Sequence, residues 1–338
     1  MDDRHTLDVT VPAGVRKPAG TGFGRWIGWR LAFGALTILA ISVLVFLATQ
    51  ALPSDPARAI LGRTATPASI AQLRHDLGLD RPLIQQYGSW LWGVVRGDFG
   101  TSLAARMPVT DFLSERAVNS IVLMAVVALI AIPLSFALGV VTAVRRGPLD
   151  RVVFLVAIGL ASLPEFVVAL LLVICFSTTV FELLPAVSTA EGGLLSNVDG
   201  LVLPVGTLVL VMTSYLYRLV RASMIEVLGS EYVSMARLKG LPPRTVILRH
   251  AFRNALLPGI QGAALVAGWL LGSAVVVETV FQYPGLGSAL TDAMNHRDVP
   301  VIQAIVLVFG FGIVVFNLVA DILVRLASPR LRTGGGAR

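Results

Sequence analysis

AVNSIVLMAVVALIAIPLSFALGVVTAV, residues 117–144, runs for 28 positions without an Asp, Glu, Lys or Arg. A charge at mid-bilayer costs roughly 2.5–3.5 kcal/mol on insertion scales, and about 20 apolar residues cross a ~30 Å hydrocarbon core at about 1.5 Å per residue. The stretch is therefore long and apolar enough to span. Four more charge-free stretches occur at 31–54, 200–217, 254–277 and 299–320, and a sixth, 152–181, is interrupted only by Glu165. Composition agrees, because 55% of the 338 residues are hydrophobic and 14% charged, with a mean hydropathy of +0.80. A soluble surface needs about a quarter charged residues. The expected fold is an all-α polytopic membrane protein with about six transmembrane helices at 31–52, 119–144, 152–181, 200–217, 258–277 and 300–324.

Orientation follows from Lys and Arg near the span ends, since these resist translocation. With the N-terminus inside, the cytoplasmic segments hold five basic residues in 1–30, three in 145–151, seven in 218–253 and four in 325–338, nineteen of the twenty-seven. Seven of the others fall in the long 53–118 segment, beyond the reach of the rule, and the last is Arg297. Both termini are expected in the cytoplasm, as a largely disordered tail at 1–30 and a second tail at 325–338. The topology accounts for the formal net charge of +7, and basic residues scattered over separate loops do not make the basic face that a nucleic-acid partner needs. The first apolar run exceeds the roughly 7–15 residues of a signal-peptide core and no A-x-A site follows, so it is expected to stay as an uncleaved helix. Cys175, the one cysteine, falls in the third span and is expected to be an inert buried thiol.

The segment 53–118 between the first two spans is expected outside and helical. Thr66-Pro67 forms a cap followed by proline at the first helical position, Ile70, Leu73 and Leu77 recur at helical spacing, and Gly78 stops the turn. A second helix from Pro82 to Val95 sets Ile84, Tyr87, Leu91 and Val94/Val95 on one side before Gly97-Asp98-Phe99-Gly100 breaks it. Such helices can pack on span ends, lie in the headgroup region or receive a soluble partner.

Within the cytoplasmic loop 221–257, the run from Glu231 to Pro258 reads EYVSMARLKGLPPRTVILRHAFRNALLP. Ser230 is expected to cap a helix whose first turn holds Glu231, and Gly240 follows Lys239 where a left-handed C-cap favours glycine. After Pro242-Pro243 a second helix places Ile247, Leu248, Ala251, Phe252 and Ala255 on one face and Arg249, His250 and Arg253 on the other. The loop reads as a helix–turn–helix against the inner membrane surface.

Here the sequence resembles the inner-membrane permeases of bacterial ABC importers of the dipeptide/oligopeptide/nickel group. The matching elements are Tyr232-Val233, Ala236-Arg237, Lys239-Gly240, Arg249-His250-Ala251, Arg253-Asn254-Ala255 and Leu256-Leu257-Pro258. The wider family has Glu-Ala-Ala where this chain has Ser234-Met235-Ala236, so Glu231 does not inherit that glutamate's role. The likeness continues through Leu77-Gly78-Leu79-Asp80-Arg81-Pro82-Leu83, Arg96-Gly97-Asp98-Phe99-Gly100, Glu278-Thr279-Val280-Phe281, Pro284-Gly285-Leu286-Gly287 and Arg297-Asp298-Val299-Pro300. The large outer segment is similar to the first of the two permeases in such systems. The resemblance implies a type I ABC importer permease fold in a bacterial cytoplasmic membrane. It also implies a homologous second permease, two ABC ATPase subunits that bind ATP and Mg, and an extracytoplasmic substrate-binding protein. It assigns ATPase coupling to Glu231, Tyr232, Met235, Ala236, Arg237, Gly240, Arg249, His250, Arg253, Asn254 and Pro258.

The chain itself is expected to bind no cofactor or metal and to catalyse nothing. Its two lysines, Lys17 and Lys239, stand in no G-x-x-x-x-G-K-[ST] loop, and H-E-x-x-H, C-x-x-C and G-x-S-x-G are absent. An ion-coupled carrier would show paired charges within the membrane. Of the candidates, Glu278 sits at an outer span end and Asp321 lies four residues before Arg325 near the inner end. Glu165 lies deep in the third span beside Pro164, and together with Tyr215 it is assigned to the translocation pathway, a structural role for Glu165 being the alternative. The resemblance implies that the chain forms half of the translocation pathway for dipeptides or oligopeptides, the alternatives being nickel chelates or another small solute, or an ion-coupled carrier.

Overall fold

The computed structural model describes residues 23–51, 61, 66–76, 80–178, 181, 183–188 and 198–327. The first 22 positions of the expected tail, the Leu77-Gly78-Leu79 element with its helix stop, and residues 328–338 lie outside the described residues. The described helices are α1 (Phe23–Gln50), α2 (Pro67–Asp76), α3 (Leu83–Val95), α4 (Val109–Val144), α5 (Pro148–Ser162), α6 (Glu165–Val173), α7 (Val198–Leu228), α8 (Glu231–Leu238), α9 (Phe252–Val280), α10 (Leu286–His296) and α11 (Val299–Ala327). Of these, α1, α4, α7, α9 and α11 are long and apolar enough to cross a bilayer, and α5 with α6 makes a sixth crossing if the bent pair is one span.

Packing radiates from α7, which lies against α4, α5, α6 and α9, while α1 is held at the edge by α11. Burial follows this order, since 72% of the residues in the apolar stretch of α7 are enclosed against 17% in α1. The close approach of α4 to α7 depends on Gly139, where a Cβ would stand 2.7 Å from Val220 Cγ1 and 3.1 Å from the Arg221 nitrogen. Small residues at such crossings let helix backbones approach where lipid offers no hydrophobic drive to association.

Several helix ends depart from the sequence expectation. Helix α1 starts at Phe23 and so takes in Arg25 and Arg30, and α4 starts at Val109, ahead of the expected 119. No glycine or proline interrupts the chain between Pro108, at the N-cap, and the span proper, and Asp111 suits the first turn. The stretch expected as the third span is not one rod: α5 and α6 meet at 107°. Leu163 is extended (φ −93°, ψ 136°), as a residue before proline prefers, and Pro164 stands at the N-cap of α6. Cys175, in the π-helical turn Ile174–Thr178 that prolongs α6, is partly exposed rather than buried.

The end of the bundle opposite α8 is tied by polar groups. Glu278, fully buried, accepts from Ser120 Oγ and from the Gly287 nitrogen, both at 2.6 Å. Asn119 Nδ2 donates to the Pro284 carbonyl, the Tyr283 hydroxyl donates to the Asn119 carbonyl, and the Leu286 nitrogen donates to Ser120 Oγ, each at 2.8 Å. Burial pushes the Tyr283 phenol well above its ordinary pKa, which keeps it a donor. Neighbouring Asp298 accepts from Ser102 Oγ and from the Ala104 nitrogen. At the other end Asp321 pairs with Arg30 at 2.8 Å, whereas Arg325 lies over the Trp26 ring.

Candidate functional site

Helix α8 is held down from one side and open on the other. Val233 and Ala236 sink into a cluster with Ala143, Met224, Val246, Ala251 and Ala255, contributed by α4, α7 and the return into α9. Ala236, which the resemblance assigned to coupling, is thus an anchor of the helix and lies off its open face. Glu231, Arg237 and Lys239 are exposed, and so are Tyr232 (45%), Met235 (54%) and Leu238 (82%). Tyr232, Met235 and Leu238 recur every three residues, a spacing that keeps them on one side of so short a helix. Leu238 was missed in the sequence, although its spacing from Met235 signals the same face.

The elbow after α8 has the geometry its glycine permits. Gly240 takes φ +73°, its nitrogen donates to the Arg237 carbonyl at 2.9 Å, and the Leu241 nitrogen donates to the Ala236 carbonyl at 3.4 Å. This is a Schellman pairing, which satisfies carbonyls that the helix end would leave open. Ser230 stands at the N-cap position in extended conformation, but its hydroxyl donates back to the Val227 carbonyl at 2.6 Å instead of capping α8.

The return segment also differs from a plain amphipathic helix. A turn at Pro243–Thr245 runs into a π-helical stretch at Val246–Ala251 and on without a break into α9. A π turn carries an extra residue, so the periodicity slips: Val246, Ala251 and Ala255 are buried, whereas Leu248, expected on the same face, is 63% exposed. Arg249 and Arg253 are exposed, His250 and Pro258 half-buried, and Asn254 Nδ2 donates to the Tyr232 hydroxyl at 2.9 Å. Lys239, Arg244, Arg249 and Arg253 of the same loop are also exposed.

A second constellation gathers at the break between α5 and α6. Glu165 begins α6 and accepts from Ser273 Oγ of α9 at 3.1 Å. Tyr215 of α7 donates to the Ala161 carbonyl at 3.1 Å, a backbone group whose helix ends at the break, and meets Trp269 edge-on at 5.3 Å. The Arg218 guanidinium lies 5.2 Å over the Tyr215 ring. Trp269 and Ser273 are four residues apart on α9, so one strip of that helix touches both sequence-named residues. Neither Trp269 nor Ser273 was singled out in the sequence. Among the described residues no three His, Cys, Asp or Glu side chains gather as a metal ligand set.

Residues 131–333 match the family described as binding-protein-dependent transport system inner membrane component, and residues 25–109 match its N-terminal component. The chain belongs to this family. It is a multi-pass permease of the bacterial inner membrane. Among curated relatives it is 37% identical over 309 residues to a peptide transport system permease protein of Brucella abortus, covering 90% of this chain and 97% of the relative. It is 39% identical over 302 residues to the glutathione transport system permease protein GsiC of Pectobacterium atrosepticum, covering 88% and 95%. The permease carries both elements described above within the matched region: the anchored loop at 231–258 and the strip of α9 against the α5–α6 break.

Proposed function

We propose that this permease forms half of the pathway by which peptides enter the cell, and that its 231–258 loop is the seat of a cytoplasmic ATPase. The observation that carries the coupling reading is the combination on α8 of buried anchors, Val233 and Ala236, with an exposed apolar face, Tyr232, Met235 and Leu238. Exposed aromatic and methionine side chains on a loop that also exposes basic residues have the composition of a docking centre. Because the return segment runs straight into α9, a push on α8 is delivered to that helix. From Asn254 to Ser273 the rod spans about 28 Å, long enough to carry displacement from the docking surface to Glu165 and Tyr215.

The remaining parts of the machine are supplied by other chains: a homologous second permease, two ATPases that hold ATP and Mg, and an external binding protein. Peptides are the substrate class, in line with the names of the relatives; nickel complexes or other small solutes are the alternative within the same machinery. An ion-coupled carrier is disfavoured because Asp321 is paired with Arg30 and Glu278 is enclosed by Ser120 and Gly287, which leaves Glu165 alone among the membrane carboxylates considered. The test is a cross-link from Met235→Cys to single cysteines on the ATPase, in a Cys175→Ser background. Efficient cross-linking that changes with nucleotide supports the docking role. A Met235→Cys chain that transports normally yet cross-links to no ATPase position in any nucleotide state rejects it.

A further inference from the structure

Helix α3 carries no charged residue in its 13 positions, and it buries none of them within the chain. Ile84 is 80% exposed, Val95 70%, Trp92 57% and Leu83 54%. At about 100° per residue, Ile84, Val95, Gly88 and Trp92 share an arc of about 80°, and Gln85 and Ser89 follow directly beside it. The opposite side is fastened to α1: the Tyr87 hydroxyl is hydrogen-bonded to Ser42 Oγ at 2.8 Å, Phe46 meets the Tyr87 and Trp90 rings at 5.4 and 5.7 Å, and Gln50 Nε2 donates to Gln86 at 3.2 Å. The helix thus has three faces, one on α1, one apolar and open, one polar and open.

The depth of this attachment follows from α1. Arg30, paired with Asp321, marks one membrane boundary, with Trp26 and Trp29 beside it. Counting 1.5 Å per residue, Ser42 lies about 18 Å from that boundary, Phe46 about 24 Å and Gln50 about 30 Å, the thickness of the hydrocarbon core. Helix α3 crosses α1 at Phe46, about 6 Å inside the far boundary, the depth at which amphipathic helices lie in the plane of a membrane. Leu39, Val43, Leu44 and Leu47 of α1 are themselves exposed, so α1 too offers an apolar surface at this level. At the end of α3 the Arg96 guanidinium sits 4.5 Å over the Trp92 ring, a pairing that places a cation and an amphipathic ring at headgroup level.

We propose that α3 is an interfacial helix seated in the far leaflet, with Ile84 and Val95 among acyl chains, Trp92 at the boundary between acyl chains and headgroups, Gln85 and Ser89 toward the headgroups, and Arg96 beside the lipid phosphate. Its partner is the phospholipid bilayer, and the reading does not depend on what the permease carries.

Nitroxides at Ile84→Cys, Val95→Cys and Gln85→Cys, in a Cys175→Ser background and in the assembled transporter in phospholipid nanodiscs, test this by their collision rates with oxygen and with a water-soluble nickel chelate. Expected is a several-fold preference for oxygen at 84 and 95, and for the nickel chelate at 85. Preference for the chelate at 84 and 95 overturns the proposal in favour of a water-facing helix. Low collision with both reagents overturns it in favour of a protein partner. Tryptophan quenching by brominated phosphatidylcholine supplies a check free of labels: Trp92→Phe should reduce the quenched fraction, and an unchanged fraction overturns the lipid contact.

Discussion

Replacing Gly240 isolates the backbone of the elbow, because a Cβ there meets no atom within 4 Å. Any effect must come from φ +73°, a region that costs an L-residue roughly 1–2 kcal/mol, least for asparagine and most for a β-branched side chain. Relief by a return to the right-handed region would abandon both Schellman hydrogen bonds, worth roughly 0.5–1.5 kcal/mol each, so strain and relief cost about the same. Neither reaches the core of the bundle, and the protein should still insert. What opposes displacement of α8 is mainly the burial of Val233, about 2 kcal/mol, with Ala236 adding less. A penalty of about 2 kcal/mol is therefore comparable with the anchor itself, and it shifts the balance between seated and displaced α8 by roughly 30-fold. The expected order of ATPase co-purification and of peptide uptake is Gly240→Asn above Gly240→Ala above Gly240→Val, with Val near background and membrane insertion equal in all three. Wild-type uptake by Gly240→Val, or Asn as damaging as Val, would refute the reasoning.

Glu278→Gln should lower the midpoint of thermal unfolding in detergent, because an amide cannot accept from both Ser120 Oγ and the Gly287 nitrogen; a buried donor left unpaired costs roughly 1–3 kcal/mol. An unchanged midpoint would remove Glu278 from the tie. Glu165→Gln is expected to slow uptake of peptides with a free amino terminus and to spare N-acetylated ones, measured side by side with the same binding protein; equal rates for both would leave Glu165 a structural partner of Ser273. Cysteines at exposed Ser234 and Asn295, in a Cys175→Ser background, should react with impermeant maleimide from opposite sides of the membrane, and labelling of both from one side would break the N-inside topology.

The features that could be read in the sequence are those set by one residue or by local period. Five charge-free runs became five long helices, Pro164 ended α5, and Gly240 could be placed in a left-handed cap because few other residues tolerate one. What could not be read depends on distant partners. Ser230 has the chemistry of a cap, yet its hydroxyl finds the Val227 carbonyl first. Leu248 fits an α-helical stripe, but the π turn at Val246–Ala251 moves it outward, and no local residue type announces such a turn. Ala236 shows how the candidate site itself was blurred: alanine suits either a buried seam or a docking face, and only the surrounding Met224, Val246 and Ala251 decide between them. Glu278 looked like a span-end carboxylate, and its true setting required Ser120, 158 positions away. The side of α3 that meets α1 could not be read either, because it depends on Tyr87 pairing with Ser42, 45 positions away.

The most direct test of the account is ATP-driven accumulation of a labelled peptide in proteoliposomes containing this permease, its homologous partner, the two ATPases and the binding protein, with ATP supplied on the face that carries α8. The account predicts accumulation that requires every component and that falls to background when Tyr232 and Met235 are both replaced by alanine in a complex that still assembles in the membrane. Accumulation by this chain without ATPase or ATP, or full ATP-driven uptake by the double variant, would contradict it.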